Sequence, residues 1–208
     1  MSMAVDHLVL AAPELGAGVE LVARATGVRP VAGGAHPGLG TRNALMGLGE
    51  GTYLEVIGPD PEQPEPDGAR PFLVDALDAP RLVTYACRPD DLDASVAAAR
   101  AAGVNLGEPR WMSRARPDGV ELRWRLTPPD MLMFDGLVPF LIDWGGTASP
   151  AASAPGGCRL TGLRAWHPRP EAVRAALATL GVALEVQQAD TPALAATLDT
   201  PNGPVELR

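Results

Sequence analysis

The chain has 208 residues, 46% of them apolar and 20% charged, a balance that supports a substantial hydrophobic core and argues against intrinsic disorder. A formal charge of −8 repels phosphate backbones and anionic bilayers, so neither nucleic acid nor a membrane surface is an expected partner. All 17 basic residues are arginine, which removes chemistry built on a side-chain amine, such as Schiff-base formation or a P-loop lysine.

The opening MSMAVDHLVLAAPELG lacks a basic leading region, and Asp6 and His7 interrupt its short apolar run, unlike a secretory signal. No apolar stretch approaches the ~18 residues of a membrane-spanning helix. Cys87 and Cys158 lie far apart, without a CxxC pair or a His-spaced partner, and read as reduced, buried thiols of a cytoplasmic protein.

Three segments share one order, an apolar strand, then Pro with an acid, then an Ala-rich helix ending in Gly-Val. They are VDHLVLAAPELGAGVELVARATGV, LVTYACRPDDLDASVAAARAAGV and LTGLRAWHPRPEAVRAALATLGV. The Pro suits the first helical turn, the acid the positive end of the helix dipole, and Gly27, Gly103 and Gly181 supply left-handed caps. Each segment is followed by turn-rich strands that close on TYLEVIG, PFLIDWG or PVELR. The expected class is therefore α+β, with residues 1–60 and 81–145 forming two βαβββ modules joined by an acidic, Pro-rich connector over 61–80. A small-residue linker, 146–157, precedes a third, smaller module over 158–208, which needs to dock on the others for stability.

The DHLVLAAPEL opening, GGAHPGLGTRN, TYLEVIGPDP and PFLIDWG resemble a glyoxalase-like domain of the vicinal-oxygen-chelate superfamily, over roughly residues 4 to 208. The resemblance implies a cup-shaped sheet of paired βαβββ modules. It also implies a divalent metal bound by an imidazole and a carboxylate from each module.

Strand parity places His7 and Glu55 in that cup. Leu8 and Leu10 share one face of the first strand, and Leu54 and Val56 share one face of TYLEVIG. If these faces pack under the helix carrying Leu15, Val19 and Val22, then His7, Tyr53, Glu55 and Ile57 face the other way. His7 and Glu55 match the half-site that the resemblance implies. The second module offers Val83 or Thr84 and Ile142 at the equivalent positions, so the ligand set is incomplete; Asp143 would reach the cup only through a β-bulge.

His36 lies in a Gly-rich stretch and is a further catalytic candidate, with Thr41 and Asn43 on the cup side of the strand that follows. The alternation in VELRWRL puts Val120, Leu122, Trp124 and Leu126 on one face. If that face packs on the second helix, Arg123 and Arg125 point into the cup or to water, where they suit a planar carboxylate. With Arg110, Arg114, Arg116 and Trp111 they also resemble a single-strand nucleic-acid patch, against which the overall acidity argues. No serine occupies a GxSxG elbow, and no GxGxxG links a strand to a helix.

Two readings follow. One is an enzyme acting on a small oxygenated, anionic metabolite by metal-assisted chemistry or by a Glu55/His7 acid–base pair. The other is a non-catalytic protein that sequesters a small molecule in a cup lined by Tyr53, Tyr85, Ile142 and Trp144. The sequence leaves open whether the first two modules close one cup within a chain or across a homodimer.

Overall fold

In a computed structural model, residues 3–116 and 118–208 are described. Alternating apolar residues build the first unit: β1 (Ala4–Ala11), α1 (Leu15–Thr26), β2 (Val31–His36), β3 (Thr41–Gly47) and β4 (Tyr53–Pro59). The second repeats it as β5 (Arg81–Arg88), α2 (Leu92–Ala101), β6 (Arg110–Ala115), β7 (Glu121–Leu126) and β8 (Phe140–Asp143). Each helix is followed by a left-handed glycine, Gly27 at φ 77° and Gly103 at φ 85°, a conformation with little steric cost only for glycine. Asp91 caps α2 by accepting from the Ala94 N–H.

The two units share one eight-stranded sheet in the order β2-β3-β4-β1-β5-β8-β7-β6. The helix crossover makes β1 parallel to β4 and β5 parallel to β8, while β1 and β5 run antiparallel and join the halves. The cup therefore closes within one chain. Its free edges meet as well: the register of β2 slips between Ala32 and Gly34, and the Arg114 guanidinium of β6 donates to the Gly33 carbonyl. A Cβ on Gly34 would stand 2.3 Å from the Ala115 carbonyl oxygen, so only a glycine lets the edges come this close.

The third unit keeps the element order, with β9 (Arg159–His167), α3 (Pro170–Thr179), β10 (Glu185–Gln188), β11 (Ala193–Thr200) and β12 (Gly203–Leu207). Its pairing differs. β10 lies beside β9, in parallel, and the sheet runs β10-β9-β11-β12, whereas in the first two units the strand after the helix goes to the far edge. The unit is tied to the first by the Leu160 N–H to the Leu48 carbonyl at 3.0 Å. Asn202 Nδ2 adds bonds to the carbonyls of Arg24 and Ala25, in the last turn of α1.

Two apolar clusters result. One lies outside the cup and joins Leu8, Leu10, Val22, Leu54 and Val56 to Leu92 and Val96 of α2 and to Val173, Leu177 and Leu198 of the third unit. The other lines the cup with Val9, Ile57, Leu122, Trp124, Phe140 and Ile142. Each fully buried Leu or Ile contributes about 1.5–3 kcal/mol by leaving water. Cys87 and Cys158 are both free and buried, and burial pushes both thiols up. Among the described residues no helix is long and apolar enough to cross a membrane.

Candidate functional site

His7 and Glu55 come together where parity places them, on adjacent strands β1 and β4 and facing into the cup. His7 Nε2 and Glu55 Oε2 are 3.7 Å apart, and both residues are buried. The imidazole stacks on Tyr53, with 4.7 Å between ring centroids and 21° between planes, and Phe140 meets its edge.

What holds His7 is its neighbour in sequence. The β1–β5 register slips between Val5 and His7, leaving Asp6 as an extra, unpaired residue; such a bulge breaks strict alternation and lets two consecutive side chains approach each other. Asp6 Oδ1 lies 2.8 Å from His7 Nδ1. The carboxylate also accepts from Trp144 Nε1 at 3.1 Å and pairs with Arg88 Nε at 3.3 Å. His7 Nδ1 thus faces Asp6, and its Nε2 faces Glu55.

Glu55 Oε1 accepts from Asn43 Nδ2 at 2.5 Å, and the same amide lies 3.3 Å from His36 Nε2. His36 ends strand β2 rather than lying in a loop, and its Nδ1 is 3.0 Å from Thr41 Oγ1. An amide N–H directed at Nε2 leaves the proton on Nδ1, where it bonds Thr41, so His36 is a neutral imidazole. Burial, with a smaller contribution from the Arg114 charge, holds it below the ordinary imidazole range, against the opposing pull of Glu55 and Asp60.

That depression has a measurable consequence. An unfolded His36 takes up a proton below about pH 6.5, while the folded one resists it. The unfolded state then holds more protons and stability falls as pH drops through that window. The urea midpoint is expected to decline between pH 7 and pH 5, and less steeply in His36→Gln; equal slopes would show that His36 is free to protonate in the fold.

Around these groups lies a cavity of about 520 Å³ of empty space, mouth included, lined by His7, His36, Asn43, Tyr53, Glu55, Ile142 and Trp144 among the expected residues. Thr41 stands behind His36 as its partner. Three expected residues are elsewhere. Tyr85 packs in the outer cluster and donates to the Leu137 carbonyl at 3.2 Å. A second register slip, between Val9 and Leu10, leaves Val83 unpaired and reverses the face of the residues that follow. Arg123 and Arg125 also point outward: Arg125 forks onto Asp93 of α2 at 2.7 and 2.8 Å, and both guanidiniums lie over Trp111. The apolar face of β7 lines the cup instead of packing on α2, so Leu126 and Trp124 form the wall. Asp143 accepts from the Gly145 N–H and does not line the cavity. Alternation would put Asp6 on the helix side with Leu8 and Leu10, yet its carboxylate contacts His7, and the arginine lining the cavity is Arg114.

The donor set does not fit a divalent metal. A catalytic metal takes about three protein ligands and an open position, yet among the described residues no group of three or more His, Cys, Asp or Glu is arranged to hold one. Asn43 fills the space between His36 Nε2 and Glu55 Oε1 with an N–H donor, which directs the lone pairs to hydrogen bonds. The second half of the cup presents Phe140, Ile142 and Trp124 where further ligands would be needed.

Paired βαβββ units closing one cup, with a His–Glu pair on the first and fourth strands, define a glyoxalase-type α+β fold of the vicinal-oxygen-chelate kind. The chain belongs to the glyoxalase-like domain family, whose sequence pattern matches residues 5–181. No curated protein matches it. Among solved structures, a hypothetical protein from Staphylococcus aureus is similar at TM-score 0.66 and 12% identity, over 91% of this chain and 87% of that one. A variant 4-hydroxymandelate synthase from Streptomyces coelicolor is similar at 0.51 and 12%, over 99% of this chain and 62% of that one. A Streptomyces coelicolor methylmalonyl-CoA epimerase variant reaches 0.47 at 21%, over 72% of this chain and 100% of that one. At these identities the likeness concerns the fold alone.

Proposed function

We propose that the protein is an enzyme that moves a proton on a small oxygenated substrate, with His7 and Glu55 as its acid–base pair. One observation carries the reading: His7 Nδ1 lies against the Asp6 carboxylate, and His7 Nε2 faces a Glu55 carboxylate oxygen across 3.7 Å. In the proposed resting tautomer, with the proton on Nδ1, Nε2 and the carboxylate both accept, and a substrate O–H or an acidic C–H beside a carbonyl supplies the donor between them. The proton passes to His7 Nε2, the electron pair stays on the substrate as an enolate, and Asp6 stabilises the imidazolium formed. Apolar walls keep water away and strengthen these interactions.

The reading is tested by the loss of the α-proton NMR signal in D₂O from pyruvate, 2-oxobutyrate and phenylacetone. Wild-type protein is expected to accelerate exchange in at least one of the three, and His7→Gln, which removes the accepting nitrogen, to remove the acceleration. Tight binding without acceleration in any of them would favour sequestration instead.

A further inference from the structure

Arg114 is the most deeply buried arginine, only 4% exposed, and yet no carboxylate lies within ion-pair distance of it among the described residues. Several less buried arginines of the chain are matched with acids, Arg29 with Glu20, Arg125 with Asp93 and Arg159 with Asp199. Burial penalises the Arg114 cation, and the charge of Glu55 on the same cavity offsets that only in part, without a direct ion pair; a buried charge lacking a contact partner is costly. Its guanidinium makes one hydrogen bond, through one terminal nitrogen to the Gly33 carbonyl. Arg114 lines the same cavity as Glu55 and His7.

We propose that Arg114 is the receptor for a ligand carboxylate, and that the cavity takes small monocarboxylates with a flat apolar body. A guanidinium fork binds a planar carboxylate bidentately, and the ligand would supply the direct ion pair that Arg114 lacks among the described residues. The body would lie against Phe140, Trp124 and Trp144, where Trp124 and Trp144 stand 5.4 Å apart at a 44° tilt. Arg114 also borders a second, outer cavity that carries Arg116. Arg116 already pairs with Asp118 at 2.9 Å, and Arg114 shares the inner cavity with Met112, two positions before it on β6, and with Glu55, whose charge acts on it. This assignment deepens the acid–base reading, since it fixes the substrate class of the same site, and it rests on that cavity being the site.

The test is calorimetric titration of benzoate and phenylacetate against the neutral benzamide and phenylacetamide. Wild type is expected to prefer the carboxylates by about 10- to 100-fold, as charge-assisted hydrogen bonds imply. Arg114→Met should abolish that preference. Arg114→Lys, which keeps a cation to close the sheet edge but loses the fork, should reduce it several-fold, and it carries the test if the Met variant fails to fold. Arg116→Ala should keep it. Equal affinity for acids and amides in wild type, a preference that survives Arg114→Met or that Arg114→Lys leaves whole, or its loss in Arg116→Ala would each overturn the proposal. In wild type, selective binding of the carboxylates without proton exchange would count against the acid–base reading alone and leave this proposal standing.

Discussion

Asp6→Asn is expected to slow proton exchange by about 10²- to 10⁴-fold, the range spanned by loss of a positioned acid–base group and loss of the carboxylate that orients a catalytic imidazole. The cause is geometric. Three groups converge on the Asp6 carboxylate: His7 Nδ1 and Trp144 Nε1 lie within hydrogen-bond distance, and the Arg88 guanidinium forms an ion pair. An amide has one accepting oxygen, so one of these N–H groups would meet an NH₂ and turn away. If His7 is the group released, its proton can move to Nε2, and the ring then offers Glu55 a donor where catalysis needs a lone pair. The pH profile separates this from general damage: a shifted or flattened profile in a variant with a wild-type circular dichroism spectrum marks a changed imidazole. An unchanged rate would remove Asp6 as a positioning residue.

Asp6 also shows where alternation stops being informative. From His7 to Ala11, β1 pairs with β4 in continuous register, so the period-2 pattern of Leu8, Leu10, Leu54 and Val56 locates His7, Tyr53, Glu55 and Ile57 correctly. One residue earlier the bulge breaks the pattern, and the same alternation assigns Asp6 to the helix side without its partner. Tyr85 is misplaced for the same reason, because Val83 is the extra residue of a second bulge. Bulges leave no mark in the order of apolar and polar residues here; they follow from how two strands twist past each other.

The arginines illustrate a different limit. The two faces of VELRWRL are legible, but which of them is inside depends on whether the sheet closes. An open sheet would bury Leu122, Trp124 and Leu126 under α2. The closed one buries them in the cup, because β6 is drawn against β2 at Gly33 and Gly34. That contact brings together residues about eighty positions apart in sequence, and it moves the cavity's positive charge from Arg123 and Arg125 to Arg114. The third unit carries the same lesson for topology: its element order repeats, yet β10 chooses a different neighbour, since strand partners are set by long-range packing.

Gly136→Ala is expected to cost about 3–5 kcal/mol, the upper end for single substitutions, and to lower Tm by roughly 10 °C for a domain of this size. Gly136 has φ 87°, and a Cβ there would lie 2.0 Å from the Val83 carbonyl oxygen and 3.2 Å from Thr84 Cβ, inside the bulge that turns Tyr85 outward. Backbone strain alone accounts for about 1–2 kcal/mol, a value that Gly181→Ala isolates, because Gly181 has φ 65° with open space around it. The remainder must come from pushing two backbones apart. This would stretch the Thr84 Oγ1 bond to the Gly136 carbonyl, now 2.9 Å, and the Tyr85 bond to the Leu137 carbonyl. Both anchor the segment that leads into β8, which supplies Phe140 and Ile142 to the cavity, so ligand affinity should weaken along with stability. Urea denaturation of the two alanine variants decides the point: similar losses in both would mean that no close approach exists at Gly136 and that the Val83 bulge is held by something else.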